Sequence, residues 1–399
     1  MTSTFSWVDF EEKDRQRMLE VIKMFQENDT RDELGIGTVR DTFSEMFFPG
    51  TNTIQTRVKY MLFIPWIYLR HEKKKTPSEK FGRRIWEDEV ALIRALLQSD
   101  DTLGVIGSTS GERLQRMPSS VYWYGLGRWG IRQFSGSSEE LYRYMDSYYT
   151  AKKNVVKDDD NEPVSGMVQD NWHLGLPSES DGFPYKADFK LNREEAEYLV
   201  DRVLNKCQNT LLAYLVSEGC QTKVKYIWEH PDFGSFPKLL REQIVHARDF
   251  ALSVNGAALL YNLMLAERIR NEERVAHYRQ ELTVWGEKMD QILFRGWDLK
   301  AFWDLVEAKG RIPVRTRQFI MDWYDLACGR GVRHTVSENK AARDLIAARE
   351  RRLKGSRARL ENQRALEMWS GAAGTRTLTY RWEIARDMVN DILAGLKEG

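Results

Sequence analysis

A helical period governs most of the second half of this chain. From Asn192 onward, apolar residues return every three or four positions near 193–206, 208–217, 238–270 and 270–293, then near 298–308 and 314–327. That spacing puts one apolar stripe on each segment and leaves few stretches that alternate as strands do. Such stripes are buried only by packing on one another, so the expected fold class is mainly α, a multidomain helical protein. A length of 399 residues fits two or three domains.

The first half reads as shorter helices between turns. One is expected after Asp9, where Glu12 completes a pattern resembling a capping box and Met18, Ile22 and Phe25 keep helical spacing. Thr38 is expected to cap a second, running to about Phe48 and stopped by Pro49 and Gly50. Thr53 is expected to cap a third from Ile54, ended or kinked at Pro65. Phe81 to Gln98 reads as another helix, and Ser137 or Ser138 caps one containing Leu141, Tyr144 and Met145. Residues 151–190 differ in kind, with Asp158, Asp159 and Asp160 in a row and Gly, Ser and Pro recurring to Pro184. The expected division is an N-terminal helical domain over 1–150, a linker or long loop over 151–190, and a C-terminal helical domain over 191–399.

The N-terminus has no apolar signal-type core, and the longest apolar run, Tyr60 to Leu69, is about half a membrane span and holds Pro65. The expectation is a cytoplasmic protein with no membrane contact. Three well-separated cysteines make no disulfide framework. No two of the six histidines stand four apart, and no cysteine lies close to one in sequence, so no metal set is expected. The loops Gly107–Gly111 and Ser370–Thr375 lack the Gly-Lys-Ser/Thr ending of a phosphate loop. His71-Glu72-Lys73 opens the His-x-Lys of a phospholipase-D-like nuclease, but Ser78 stands where an Asp is needed. Pro231-Asp232 opens a metal-nuclease pattern whose Asp/Glu-x-Lys does not follow. No catalytic residue and no cofactor are assigned; a site whose carboxylates meet only in space stays open.

The net charge is only +1, so any attraction to a polyanion must be local. Between Arg330 and Arg364 there are eleven basic and four acidic residues, a window of +7 in a chain whose remainder is acidic. Arg349, Arg351, Arg352, Lys354, Arg357 and Arg359 are the candidate phosphate contacts. The same segment also reads as a solvated helix with pairs such as Glu350 with Lys354, or as a surface for an acidic protein partner. A second candidate is the 38–69 helix pair as a helix-turn-helix, with Gln55, Thr56, Arg57 and Lys59 at the start of its recognition helix. Its plain reading is a hairpin in which Arg57 pairs with Asp32 or Asp41. Residues 85–131, with Arg113, Arg116 and Arg128, read either as a winged helix or as an ordinary packed subdomain.

The run Asp29-Thr30-Arg31-Asp32-Glu33-Leu34-Gly35-Ile36-Gly37, with Arg40-Asp41, Phe48-Pro49-Gly50-Thr51, Ile54-Gln55-Thr56-Arg57 and Phe63-Ile64-Pro65-Trp66, forms a signature. Pro118-Ser119, Tyr122-Trp123, Trp129-Gly130-Ile131 and Tyr380-Arg381-Trp382 extend it along the chain. It resembles an uncharacterised bacterial domain-of-unknown-function family whose members tend to be encoded in anti-phage defence islands, beside helicases and phospholipase-D-like nucleases. The resemblance carries over no catalytic residue. It implies a setting, that of a cytoplasmic component of a multi-gene defence system. With the basic 330–364 segment as the preferred contact, the expected function is a non-enzymatic subunit that binds DNA, helicase or phospholipase-D-like nuclease partners, or both. A protein-only scaffold or sensor, and a metal-dependent nuclease, are the alternatives.

Overall fold

The computed structural model describes residues 32–108, 116–154, 168–327 and 332–398, with the backbone alone for 293–295. The expected helix after Asp9, the acids at 158–160, Arg113, Cys328 and Arg330 lie outside the described residues. Among those described there are fourteen α-helices and no sheet; one isolated bridge joins Arg132 to Trp172. The protein is thus mainly α and divides into two compact units, each discontinuous in sequence. The first takes 1–43 and 242–378, the second 44–241 and 379–399. The stretch 151–190 falls inside the second unit.

Helix α1, Gly37–Phe47, starts where the Asp32 carboxylate accepts the amides of Ile36 and Gly37, both at 2.7 Å. Asp32 therefore serves as the cap, and Thr38 lies within the helix. The helix stops before Pro49-Gly50 as expected. Gly50 has φ +82°, and a Cβ there would come within 2.9 Å of the Trp129 ring.

In the second unit, α2 is Tyr60–Lys73, and every residue from Tyr60 to Tyr68 is buried. A helix apolar on all sides belongs at the centre of a unit. It begins six residues later than expected. Asn52 Oδ1 accepts the amides of Ile54 and Gln55, and Gln55 Oε1 accepts the amide of Asn52, so 52–55 closes as a turn. Pro65 does not end α2, because burial of both flanks outweighs its one missing donor.

Around α2 stand α3 (Ser78–Leu96), α4 (Pro118–Arg128) and α5 (Ser138–Lys153), joined by aromatic packing. Phe63 stacks on Phe183 at 5.6 Å, Tyr68 meets Trp172 at 5.2 Å, and Trp66 Nε1 donates to the Pro177 carbonyl at 2.7 Å. Helices α6 (Arg193–Lys206) and α7 (Leu211–Ser217) complete the main run of this unit. The C-terminal helix of the chain, Trp382–Gly395, packs against both. Of Ser137 and Ser138, Ser137 is the cap of α5 and forms a capping box with Glu140; the cap pattern of Asn192 with Glu195 likewise opens α6 as a box.

The first unit holds α8 (Lys238–Arg268, from Glu242 on), α9 (Glu272–Arg295), α10 (Leu299–Glu307), α11 (Val314–Ala327), α12 (Lys340–Lys354) and α13 (Gln363–Glu367). Trp382–Gly395 is accordingly α14. Phe302 gathers Phe250 at 5.4 Å and Trp297 at 5.1 Å. Helix α8 is long and apolar enough to cross a membrane, yet 83% of its apolar window is buried within the protein, as in a core helix. Gly355, at φ +55°, ends α12.

Candidate functional site

The four residues expected at the start of a recognition helix are engaged within the second unit. Gln55 is buried and donates to the Gly50 carbonyl at 3.2 Å, and Thr56 Oγ1 donates to the Gly104 carbonyl at 2.6 Å. Arg57 pairs with Asp391 and Asp101, not with Asp32 or Asp41, and its guanidinium lies 4.7 Å from the Phe189 ring centre. Lys59 is buried, 3.3 Å from Glu195 and bonded to the Lys190 carbonyl.

The basic C-terminal segment is engaged unevenly. Arg349 is 7% exposed and donates to the carbonyls of Leu34 at 2.8 Å and Gly35 at 2.9 Å. Lys354 bonds Glu33, Glu350 and Tyr261, and Arg359 lies 3.0 Å from Glu33. Of these cations, Lys354 pairs with Glu350, which is fully buried. Burial alone would raise the Glu350 carboxyl, but the Tyr261 hydroxyl and the amides of Leu360 and Arg359 outweigh it and hold it below its ordinary value. Arg351 pairs with Glu361 on the surface. Arg352 and Arg357 are exposed and have no ion-pair partner among the described residues.

A different basic surface forms in the second unit, where the end of α2 meets one face of α3. A cleft of about 730 Å³ is lined by Arg70 of the first with Lys74 and Lys75 just after its end, and by Lys80, Arg84 and Arg94 from the second. Lys80, Arg84 and Arg94 recur at helical spacing, so one face of α3 carries them all. Only two acids, Glu87 and Asp88, line the same cleft. Asp88 is committed at its base, 3.1 Å from His71 Nε2 and 3.5 Å from Arg70 Nε, and Glu87 pairs with Arg84 at 2.7 Å. Lys74, Lys75 and Lys80 are exposed, with no ion-pair partner among the described residues. Cations at a helix C-terminus also answer the helix dipole, which accounts for the lysines at the end of α2 but not for the cations within α3. Trp86 and Tyr185 open onto the cleft with 42% and 71% of their surface exposed. Exposed rings beside unpaired cations can stack planar groups and hold phosphates at once. The dense run Arg70, Lys73, Lys74, Lys75, Lys80, Arg83 and Arg84 was the sequence signal for this surface.

The second unit also gathers Cys220, His230 and Asp232, whose ligand-type atoms lie within 4.8 Å of one another. The absence of any sequence-close His–Cys pair had argued against a metal set; the chain folds back after α7 and closes that gap. The His230 side chain is 1% exposed, and burial holds its ring below its ordinary pKa. Its Nδ1 accepts the Asp232 amide at 3.1 Å, and its buried Nε2 has no hydrogen-bond partner among the described residues. Burial pushes the Cys220 thiol up, and Asp232 and Glu218 push it the same way. A nucleophilic cysteine needs the opposite shift, so these three residues do not form an activated thiol.

The sequence profile of a family of unknown function, DUF6361, matches residues 2–395, and the chain belongs to that family. No curated protein and no solved structure matches it.

Proposed function

We propose that this family member binds single-stranded DNA along the basic cleft of its second unit. The observation that carries the reading is the pairing of six basic side chains, three of them exposed and unpaired, with the open rings of Trp86 and Tyr185. A positive groove tracks the phosphates and releases their counterions, while each ring stacks a base without regard to its identity. The helix-turn-helix reading of 38–69 contributes nothing here, because Gln55, Thr56, Arg57 and Lys59 are already bonded within the unit. Arg352 and Arg357 supply a smaller, separate basic patch. The setting proposed is the one suggested by the N-terminal signature. It is a cytoplasmic defence system in which the protein presents DNA to helicase and phospholipase-D-like nuclease subunits.

The test is fluorescence anisotropy with single- and double-stranded oligonucleotides, on the wild type and Trp86→Ala. The reading expects preference for the single strand and a loss of about 1–3 kcal/mol in the variant. Equal affinity for duplex, or no effect of removing the ring, would refute the stacking role.

A second reading, a metal-dependent enzyme, is favoured by the Cys220, His230 and Asp232 cluster. It predicts slow cleavage of phosphodiesters that depends on an added divalent ion and is lost in Asp232→Asn.

A further inference from the structure

We infer that Cys220, His230 and Asp232 bind a single zinc-class divalent ion with one coordination position left to solvent. The backbone brings the three together through local devices. Gly219 takes φ +67° after α7, and the Cys220 amide reaches back to the Leu215 carbonyl at 3.1 Å, a helix-ending turn that fixes Cys220. His230 follows the short 3-10 turn Ile227–Glu229, and Asp232 begins the next one, Phe233–Ser235. The His230 ring is held against Phe236 at 5.1 Å between centroids.

The donor set decides the ion. One sulfur, one imidazole nitrogen and one carboxylate oxygen suit zinc or its neighbours and not magnesium or calcium, which prefer oxygen alone. With an ion bound, the Cys220 thiolate and the Asp232 carboxylate would balance its two positive charges. The imidazole supplies the neutral donor. His230 Nδ1 lies 3.9 Å from Asp232 Oδ2, so it is this ring nitrogen that faces the carboxylate. An ion on Nδ1 would fix the ring with its proton on Nε2. The ion would replace the hydrogen bond from the Asp232 amide, and the thiol proton would leave to solvent on binding. Asp232 is 61% exposed at its side chain, so the fourth tetrahedral position faces water. The inference deepens the metal-enzyme reading but does not need it, since an ion held here without turnover would still be a metal site.

The test is titration of the chelator-treated full chain with cobalt(II), followed by absorption and by competition with zinc. One ion per chain is expected, with a sulfur-to-cobalt charge-transfer band and the intense visible bands of tetrahedral cobalt. Cys220→Ser should abolish the charge-transfer band, and Asp232→Asn, at an exposed position that folding does not depend on, should weaken binding by at least ~10-fold. Absence of stoichiometric binding, or equal binding by both variants, would overturn the inference. Binding without phosphodiester cleavage would support the metal site and remove only the enzymatic reading.

Discussion

Arg57 Nε stands 2.9 Å from Asp391 Oδ2, joining two residues 334 positions apart in sequence within one unit. The side chains are only 17% and 19% exposed, and Arg57 also reaches Asp101. The Arg57 guanidinium was a candidate DNA contact on sequence; in the structure it fastens the C-terminal helix. Asp391→Ala should therefore destabilise the second unit by about 3 kcal/mol, since it leaves a cation half-enclosed without its main partner. Urea denaturation followed by far-UV circular dichroism measures this. A change below about 0.5 kcal/mol would mean the pair is only a surface contact.

Glu89 on α3 is buried and accepts both the amide and the hydroxyl of Ser119, at 2.6 and 3.1 Å. Burial raises its carboxyl to about 7 despite those two bonds. In the unfolded chain it titrates near 4.5, so between those values the folded state holds the extra proton. The contribution to stability is therefore greatest in the acid part of this window and falls as pH rises from about 4.5 to 7, by ~3 kcal/mol at most. Glu89→Gln keeps the shape and cannot ionise. Its melting temperature should fall less than that of the wild type between pH 5 and pH 8, and parallel pH profiles would contradict the assignment.

Glu350 and Arg352 sit two residues apart on α12 and should behave oppositely. Glu350→Ala leaves Lys354, Tyr261 and two backbone amides without their shared acceptor, at a cost of about 3 kcal/mol. Arg352→Ala removes an exposed, unpaired side chain and should change stability by no more than about 0.5 kcal/mol. Thermal unfolding of the two variants side by side decides it. Similar losses would mean that the basic helix is not divided into a buried and a solvent face.

Gly256 on α8 lies under the Trp285 ring, where a Cβ would clash with the ring carbons. Trp285 cannot easily retreat, because its Nε1 donates to the Leu252 carbonyl at 2.7 Å. Gly256→Ala should cost about 2 kcal/mol by overpacking, although alanine is the better helix former. Greater stability in the variant would show that the ring can move aside.

Local signals were legible in the sequence where both partners were close. Ser137 with Glu140 and Asn192 with Glu195 each supply both halves of a cap within four residues, and both boxes formed. Helices α8 to α11 followed directly from the apolar period. What failed to show was pairing at a distance. The +7 of 330–364 could not reveal that Glu33 takes Lys354 and Arg359, or that Glu267 takes Arg343. Thr53 looked like a cap because nothing in the sequence said that Asn52 would bind the amides of Ile54 and Gln55 first. Cys220 and His230 follow no known metal spacing, and only the fold sets them beside each other. The cleft was half legible, for its cations cluster in sequence while Tyr185 arrives from a distant loop.

The proposal that DNA binds in the α2–α3 cleft, and not on the C-terminal basic segment, is open to direct test. The measurement is the salt dependence of single-stranded oligonucleotide affinity for the wild type, for Lys74→Ala/Lys80→Ala/Arg84→Ala, and for Arg352→Ala/Arg357→Ala. The cleft variant should lose most of the affinity and show a salt dependence shallower by about two to three ions, while the other variant stays close to wild type. Undiminished binding by the cleft variant, or loss confined to the C-terminal variant, would contradict it.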